Sequence, residues 1–364
     1  MLQAVTPGQA ALLGVLTGLV CGATARYARL CSFGAIEDVV MAGDTRRLKA
    51  FAWALAIAMA ATQAMAASGL LATADIALLP PLLPWAGALF GGAVFGLGMA
   101  LVGTCGFGAL VRFGGGDLRA AVVLLVFGAI AWATATGRLA AVRTGVFDPL
   151  AMTLEGGGGT DLRALLIPSY AKAWIAPLLV LMLAAWALLD TRMWRAPVLL
   201  AVGTALGASV AFGWLVTGVL LDPFETLPRP QGLSFVTPVA RLLQALVVQP
   251  TPAPEFGMGT AVGVSLGALL AAWRAGDLRW EAFDDAREMR RHLLGACLMG
   301  FGGICAGGCT IGQGLSAGSV LAPSWPFAVG GIVAGARLGI AILIEGEFAT
   351  VARHWCWRWR LGKR

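Results

Sequence analysis

One apolar pattern occurs twice in the chain, and each copy ends in a glycine-flanked cysteine. Residues 89–108 read LFGGAVFGLGMALVGTCGFG, and residues 293–312 read LLGACLMGFGGICAGGCTIG. When the second block is aligned 204 positions after the first, seven positions agree, and both blocks end in Gly-x-Cys-x-x-Gly. Seven matches in one ungapped block favour an internal repeat over coincidence, even in a chain with 50 glycines. The fold must therefore accommodate two equivalent apolar segments that break at a cysteine.

The composition places these segments in a lipid bilayer. The chain of 364 residues is 59% hydrophobic and 12% charged, whereas a soluble domain carries about 25% charged residues. Its apolar segments are long enough for helices of about 20 residues, and they are apolar on all faces, unlike the strands of a barrel. The sequence therefore predicts an all-α polytopic membrane protein. Residues 1–9 lack the basic region of a signal peptide, so we expect the first helix to be retained.

The charges of the loops predict a topology. About nine spans are expected, near 9–25, 51–71, 85–102, 120–137, 174–190, 197–221, 257–273, 293–308 and 324–344. Even numbers of spans separate the basic segments, so all of these segments can lie on the cytoplasmic side of a bacterial inner membrane, with the N-terminus outside. The two copies of the repeat then run in opposite directions. We expect inverted repeats at 1–137 and 197–345, a connecting loop and linking helix at 138–196, and a basic cytoplasmic tail at 346–364.

Short broken or re-entrant helices are predicted at three cysteines. The segment 25–38 around Cys31 is too polar for lipid and too apolar for an ordinary loop, which is typical of a broken helix buried in protein. Glycine lets the backbone turn and lets a ligand approach, and helix ends at a break offer unpaired N–H groups to an anion. Close packing of helices around small residues is the alternative interpretation. The candidate glycines at the breaks beside Cys105 and Cys309 are Gly103, Gly108, Gly307, Gly308 and Gly312.

The residue type at these breaks favours a soft ligand. A thiol is a weak donor with a polarizable sulfur, so it suits a ligand with exposed sulfur, whereas serine would serve a hard oxyanion such as sulfate equally well. Cys297 and Cys305 are interpreted as packing residues, because alanine and leucine stand at the matching positions of the first block. A redox pair of Cys305 and Cys309 would need one continuous helix, which Gly307 and Gly308 are expected to break.

Two arginines near Cys31 are further candidates. Arg26 and Arg29 are ionisable groups near membrane depth and could attract an anion; pairing with Glu37 and Asp38 at the interface is the alternative. Arg112 and Arg337 are additional candidates of the same kind.

Other functional classes lack a signature. No Walker loop, dinucleotide fingerprint or Ser/His/Asp arrangement is present, so we expect no enzyme and no cofactor. Both histidines lie beside basic segments, which argues against haem or a His-rich metal site. The net charge of +7 arises from short loops and the tail, where basic residues orient helices; we therefore expect no nucleic-acid partner.

Three stretches of the chain are similar to those of a known family. They are 25–33 with Asp38 around Cys31, 98–108 with Arg112 around Cys105, and 307–315 around Cys309. On these motifs the chain resembles the YeeE/YedE family of sulfur-compound (thiosulfate) membrane transporters. The resemblance implies an hourglass-shaped inverted-repeat protein in which three pore-facing cysteines, here Cys31, Cys105 and Cys309, pass thiosulfate inward by successive S–H···S hydrogen bonds. It also implies a small cytosolic sulfur-carrier protein as a partner.

Three alternatives remain open at the level of the sequence. The substrate could be another sulfur or selenium species. The protein could be a membrane sulfurtransferase that holds a persulfide on Cys309 or Cys105. It could also be a scaffold that anchors sulfur-carrier proteins without transporting anything.

Overall fold

The computed structural model describes residues 5–72, 76–80, 82–153, 172–221, 230–247, 253–283 and 285–345. In the first half it contains α1 (Pro7–Ala28), α2 (Ser32–Ala42), α3 (Arg46–Ala67), α4 (Trp85–Val102), α5 (Gly106–Gly114) and α6 (Leu118–Ala135). Three helices follow between the halves: α7 (Arg138–Phe147), α8 (Lys172–Leu188) and α9 (Thr191–Trp194). Two short strands, β1 (Leu82–Leu83) and β2 (Met152–Thr153), pair antiparallel.

The second half repeats the order of long and short helices. It contains α10 (Pro197–Leu215), α11 (Val236–Val247), α12 (Phe256–Ala275), α13 (Ala286–Cys305), α14 (310–319) and α15 (Trp325–Glu345). A π-helical turn, Val216–Leu220, extends α10, and Gly312–Ala317 within α14 is also π-helical. In each half, one short helix follows the first long helix and another follows the third.

The architecture confirms an all-α multi-pass membrane protein. Seven helical segments of the described chain are long and apolar enough to cross a membrane, by length and composition. Two of the nine predicted spans fall outside this set. The helix α8 has only 17 residues, and the first turns of α13 carry Arg287, Glu288, Arg290 and Arg291. The predicted number of nine spans therefore stays a prediction.

Glycines bring the long helices into backbone contact. A Cβ added to Gly22 of α1 would lie 2.0 Å from the carbonyl oxygen of Val264 in α12, and one added to Gly335 of α15 would lie 1.9 Å from that of Ala93 in α4. No other residue fits such approaches without moving a helix. This is the small-residue packing typical of membrane helices, where apolar burial does not drive helices together. Much of the glycine content is thus structural.

The same contacts show the directions of the helices. On α1, Gly14 meets Phe256 and Gly22 meets Val264, so α1 and α12 run parallel. In two other pairs the contacting residues also increase in number along both helices, so α3 runs parallel to α10 and α4 runs parallel to α15. The two helices of the repeated block, α4 and α13, run antiparallel, because Gly98 lies against Gly295 while Gly91 lies against Cys305.

The first helices of the two halves are also antiparallel. The Val5 amide, just before α1, donates to the Leu220 carbonyl at the far end of α10, at 2.9 Å. Corresponding helices of the two halves therefore point in opposite directions at two places, α1 with α10 and α4 with α13.

The region between the halves differs from the expectation in one respect. The segment 138–173 was predicted to be a connecting loop, but Arg138–Phe147 forms α7. This helix packs against the start of α4, where Phe147 lies 3.6 Å from a Cβ built on Gly87. The residues 154–171 of the predicted connecting loop and the predicted basic tail 346–364 lie outside the described residues.

Candidate functional site

Three short helices begin at the three predicted cysteines. Cys31, Cys105 and Cys309 are the residues that immediately precede α2, α5 and α14. The helices before two of these breaks end in left-handed residues: Arg29 after α1 has φ 50°, and Gly103 after α4 has φ 76°. Glycine adopts this conformation without the steric cost that Arg29 bears. The breaks thus lie where the sequence predicts them.

The repeated cysteines have equivalent local geometry. The Gly108 amide donates to the Cys105 sulfur at 3.3 Å, and the Gly312 amide donates to the Cys309 sulfur at 3.4 Å. Each sulfur therefore acts as the acceptor that a serine or aspartate usually supplies at a helix start. Both cysteines are fully buried. The Gly-x-Cys-x-x-Gly motif is thus a helix cap built on sulfur, with its second glycine as the donor.

The Cys31 sulfur contacts the first of these two caps, the one formed by Cys105. Its sulfur lies 3.9 Å from the Cys105 sulfur and 3.5 Å from the Thr104 hydroxyl. The close approach depends on Gly108, because a Cβ there would lie 2.2 Å from the Thr104 hydroxyl oxygen and 3.0 Å from the Cys31 sulfur. Two thiols and a hydroxyl therefore form a compact cluster where α2 and α5 begin.

Two contacts link this cluster to the break at Cys309. The Ser32 and Thr310 hydroxyls lie 2.8 Å apart, which joins the first turn of α2 to that of α14. The rings of Phe107 and Phe235 lie 5.1 Å apart between centroids, and both are buried. Phe235 lies 204 positions after Cys31 and immediately precedes α11, so a phenylalanine occupies in the second half the place that Cys31 has in the first.

A cavity of about 380 Å³ opens beside Cys31. We call it the Cys31 cavity; its wall includes Arg26, Arg29, Cys31, Gly103, Gly108 and Arg112. Arg26 forms a salt bridge with Asp277 at 3.1 Å, and Arg112 donates to the Gly103 carbonyl at 3.0 Å. Basic groups outnumber acidic ones in the wall, so its electrostatic character suits an anion.

A second cavity, of about 300 Å³, lies beside the other repeated block. We call it the Cys305 cavity; its wall includes Arg143, Ser234, Cys305, Gly307, Gly312 and Gln313. Pro84, just before α4, lines it, while Gly103, just after α4, lines the Cys31 cavity. Since α4 is about 27 Å long, the two cavities lie at opposite ends of the molecule. The buried cysteines Cys105 and Cys309 lie between them.

Of the ten predicted site residues, seven line one of the two cavities, and Cys105 and Cys309 are the buried cysteines between the cavities. Arg26, Arg29, Cys31, Gly103 and Gly108 line the Cys31 cavity, and Gly307 and Gly312 line the Cys305 cavity. Gly308 borders neither cavity and only precedes Cys309 in the chain. The alternative interpretation, in which Arg26 pairs with Glu37 or Asp38, is wrong: Arg26 forms its salt bridge with Asp277, and Asp38 pairs with Arg47. Arg337 is exposed on α15, away from both walls.

Several residues of the site were missed from the sequence. Thr104 lies inside the first motif, but no pattern marks a single threonine as a partner of Cys31. Phe235 was detectable only through the offset of 204, since the residues around it do not match those around Cys31. Arg143 was assigned to a loop. Cys305 was interpreted as a packing residue, and it is buried as expected but also forms part of a cavity wall.

The described residues offer thiols, amides and arginines at this site, and no group of three metal-ligating side chains occurs among them. The six cysteines that the structure describes are all free. The arrangement can therefore donate hydrogen bonds to a small anion, and its cysteine thiols can contact a sulfur atom of that anion.

Comparison with known sequences identifies the family. A family model described as sulphur transport matches residues 27–338. The chain belongs to the sulphur transport family. The matched region includes all three cysteine breaks, and it confirms the family predicted from the motifs.

Two relatives are similar to this chain over most of their length. The thiosulfate transporter TsuA of Escherichia coli (strain K12) is 28% identical over 319 residues, which cover 83% of this chain and 86% of the relative. The thiosulfate transporter TsuA of Spirochaeta thermophila is 29% identical over 330 residues, which cover 86% of this chain and 93% of the relative.

Proposed function

We propose that the protein is a transporter that takes up thiosulfate across a bacterial inner membrane. The path runs from the Cys305 cavity past Cys309, Cys105 and Cys31 to the Cys31 cavity. The observation that carries this proposal is the placement of three cysteines at the starts of three short helices, between cavities at opposite ends of the molecule. The names of the two relatives support thiosulfate as the substrate.

The chemistry of the site fits this anion. Thiosulfate carries two negative charges and one terminal sulfur. The N–H groups at helix starts favour negative charge, and thiols offer weak S–H donors to the terminal sulfur. A series of weak donors holds the ion at each step without trapping it. No covalent step is needed, so the protein is a transporter and not an enzyme.

Inverted repeats explain how the path is built. We assign them to 1–137 and 197–345, joined by 138–196 and followed by the tail 346–364. The common order of helices and the antiparallel pairs α1 with α10 and α4 with α13 support this assignment. Such repeats place substrate sites where broken helices meet near the middle of the membrane.

The orientation follows from charge. The basic turns at 45–49 and 274–292 lie at the end of the molecule that holds the Cys31 cavity, whose wall includes Arg47 and Asp277. Under the positive-inside rule this end is cytoplasmic, the N-terminus is outside and the C-terminus is inside. A small cytosolic sulfur-carrier protein would then receive the anion at this end.

Entry of the anion against the membrane potential needs either consumption of thiosulfate inside the cell or coupling to another ion. A potential of 100 mV, negative inside, opposes a dianion by about 4.6 kcal/mol. Rapid consumption of thiosulfate inside the cell would sustain uptake without coupling.

The proposal is tested by uptake of radiolabelled thiosulfate into cells that lack other uptake routes, with and without the protein. We expect saturable uptake that depends on the protein, and weak competition by an excess of sulfate, which has no terminal sulfur of the same kind. Equal uptake in cells with and without the protein would refute the proposal. Strong competition by sulfate would refute recognition through sulfur.

A further inference from the structure

One arginine borders the Cys305 cavity from outside the two halves. Arg143 belongs to α7, the helix between the halves, and it lines this cavity together with residues of α13 and α14. Its Nε atom is buried and has no hydrogen-bond partner among the described residues. Arg26, Arg47, Arg119 and Arg241, by contrast, each pair with a carboxylate.

The wall of the Cys305 cavity contains no acidic residue among those the structure describes, and Arg143 is its one charged group there. A half-buried guanidinium with no counter-charge in its cavity creates a positive potential that an anion can neutralise. The Cys31 cavity differs, since Glu37 and Asp277 lie among its arginines.

A buried amide faces the same cavity. Gln313 of α14 is only 1% exposed, and its Oε1 atom has no partner among the described residues. Buried polar atoms are nearly always hydrogen-bonded, and exceptions call for an explanation such as a ligand. A half-turn of the amide exchanges Oε1 with the NH₂ group, so this position can donate to an anion. The place of Gln313 is fixed by Gly307, where a Cβ would lie 2.9 Å from its Nε2 atom.

The third group is the thiol of Cys305. It lies at the end of α13 in the cavity wall, four residues before Cys309, and is 8% exposed. Its sulfur is thus the first thiol that an anion meets when it enters from this cavity.

We propose that Arg143, Gln313 and Cys305 form a recognition site for a small divalent anion with a terminal sulfur, at which the ion is selected before it reaches Cys309. Arg143 and Gln313 hold the oxygen atoms, and Cys305 contacts the terminal sulfur. The inference rests on the proposed function, because it assumes that the anion enters through the Cys305 cavity. It adds residues that lie outside the three cysteine motifs.

The test measures the concentration dependence of thiosulfate uptake for Arg143→Gln. Removal of a charge-assisted hydrogen bond should raise the KM about tenfold or more while the maximal rate per inserted protein changes little. Arg143→Lys keeps the charge and loses the planar fork, so its KM should lie between those of the wild type and Arg143→Gln. The matched control is Arg138→Gln, which removes the same charge from an exposed position of the same helix.

The thiol is tested in the same way. Cys305→Ala should raise the KM for thiosulfate and weaken the preference for thiosulfate over sulfate. Cys297→Ala, on the same helix but outside the cavity wall, is its control.

The outcomes separate this inference from the proposed function. Wild-type KM values in Arg143→Gln and Cys305→Ala, with uptake by the wild type intact, would overturn the recognition site alone. A lower maximal rate with an unchanged KM would indicate a structural role for Arg143 and would also overturn it. Absence of uptake by the wild type would overturn the proposed function itself.

Discussion

The substitution Gly108→Ala tests how tightly the cluster of Cys31, Thr104 and Cys105 is packed. The new methyl carbon would lie 2.2 Å from the Thr104 hydroxyl oxygen and 3.0 Å from the Cys31 sulfur. Ordinary contact begins at 3.4 Å, so the Thr104 hydroxyl must move by about 1.2 Å. This movement removes its 3.5 Å contact with Cys31 and displaces that sulfur from Cys105.

We expect Gly108→Ala to reduce the rate of transport more than the stability of the fold. Overpacking of this size costs about 1–3 kcal/mol, and because the side chain of Thr104 can rotate, we expect the variant to fold and insert. A misplacement of about 1 Å in a positioned site can cost about 100-fold in rate. We therefore expect thiosulfate uptake per inserted protein to fall between about tenfold and 100-fold.

The assay is initial-rate uptake of radiolabelled thiosulfate, normalised to the amount of protein in the membrane. Gly314→Ala is the control, because nothing lies within 4 Å of a Cβ at that position of α14. The double variant Gly108→Ala/Thr104→Ala removes the 2.2 Å clash and leaves the Thr104 Cβ at an ordinary 3.6 Å, so it should recover part of the uptake. Wild-type uptake by Gly108→Ala would refute the packing argument.

Two further predictions concern an ion pair between helices and a ring contact between the two cavities. Lys49→Met should lower the unfolding midpoint of the purified protein, because it leaves Asp190 without its partner. Lys49→Met/Asp190→Leu should recover much of the midpoint, since an apolar pair can replace an ion pair, and equal midpoints for both variants would contradict this. Phe235→Leu should raise sulfate uptake relative to thiosulfate uptake, because it removes the 5.1 Å ring contact with Phe107 between the cavities. An unchanged ratio would show that this contact does not restrict passage.

The sequence predicted the elements of the fold well because membrane helices have strong local signals. Seven of the nine predicted spans correspond to helices long and apolar enough to cross a membrane, and the predicted 85–102 coincides with α4. The breaks at Cys31, Cys105 and Cys309 were predictable because polar or glycine residues interrupt apolar segments there.

The arrangement of the site could not be predicted, because it depends on contacts between distant segments. Cys31 and Cys105 are 74 positions apart in the chain, and their 3.9 Å approach is set by the packing of α1, α5 and α12. The local pattern gave no sign that each sulfur of the repeat caps a helix. Arg143 reaches a cavity only because α7 packs on α4, and a polar segment with glycines predicts a loop instead.

The most direct test of the cysteine path compares Cys105→Ser and Cys309→Ser with the corresponding alanine variants. A serine oxygen accepts the N–H bond of Gly108 or Gly312 and keeps the helix cap, but it removes the polarizable sulfur. Initial rates of radiolabelled thiosulfate uptake, normalised to inserted protein, are measured for all four variants. If the sulfurs carry the anion, the serine variants lose uptake as severely as the alanine variants do. Wild-type uptake by the serine variants, with loss only in the alanine variants, would show that these cysteines serve as helix caps and would contradict the cysteine path.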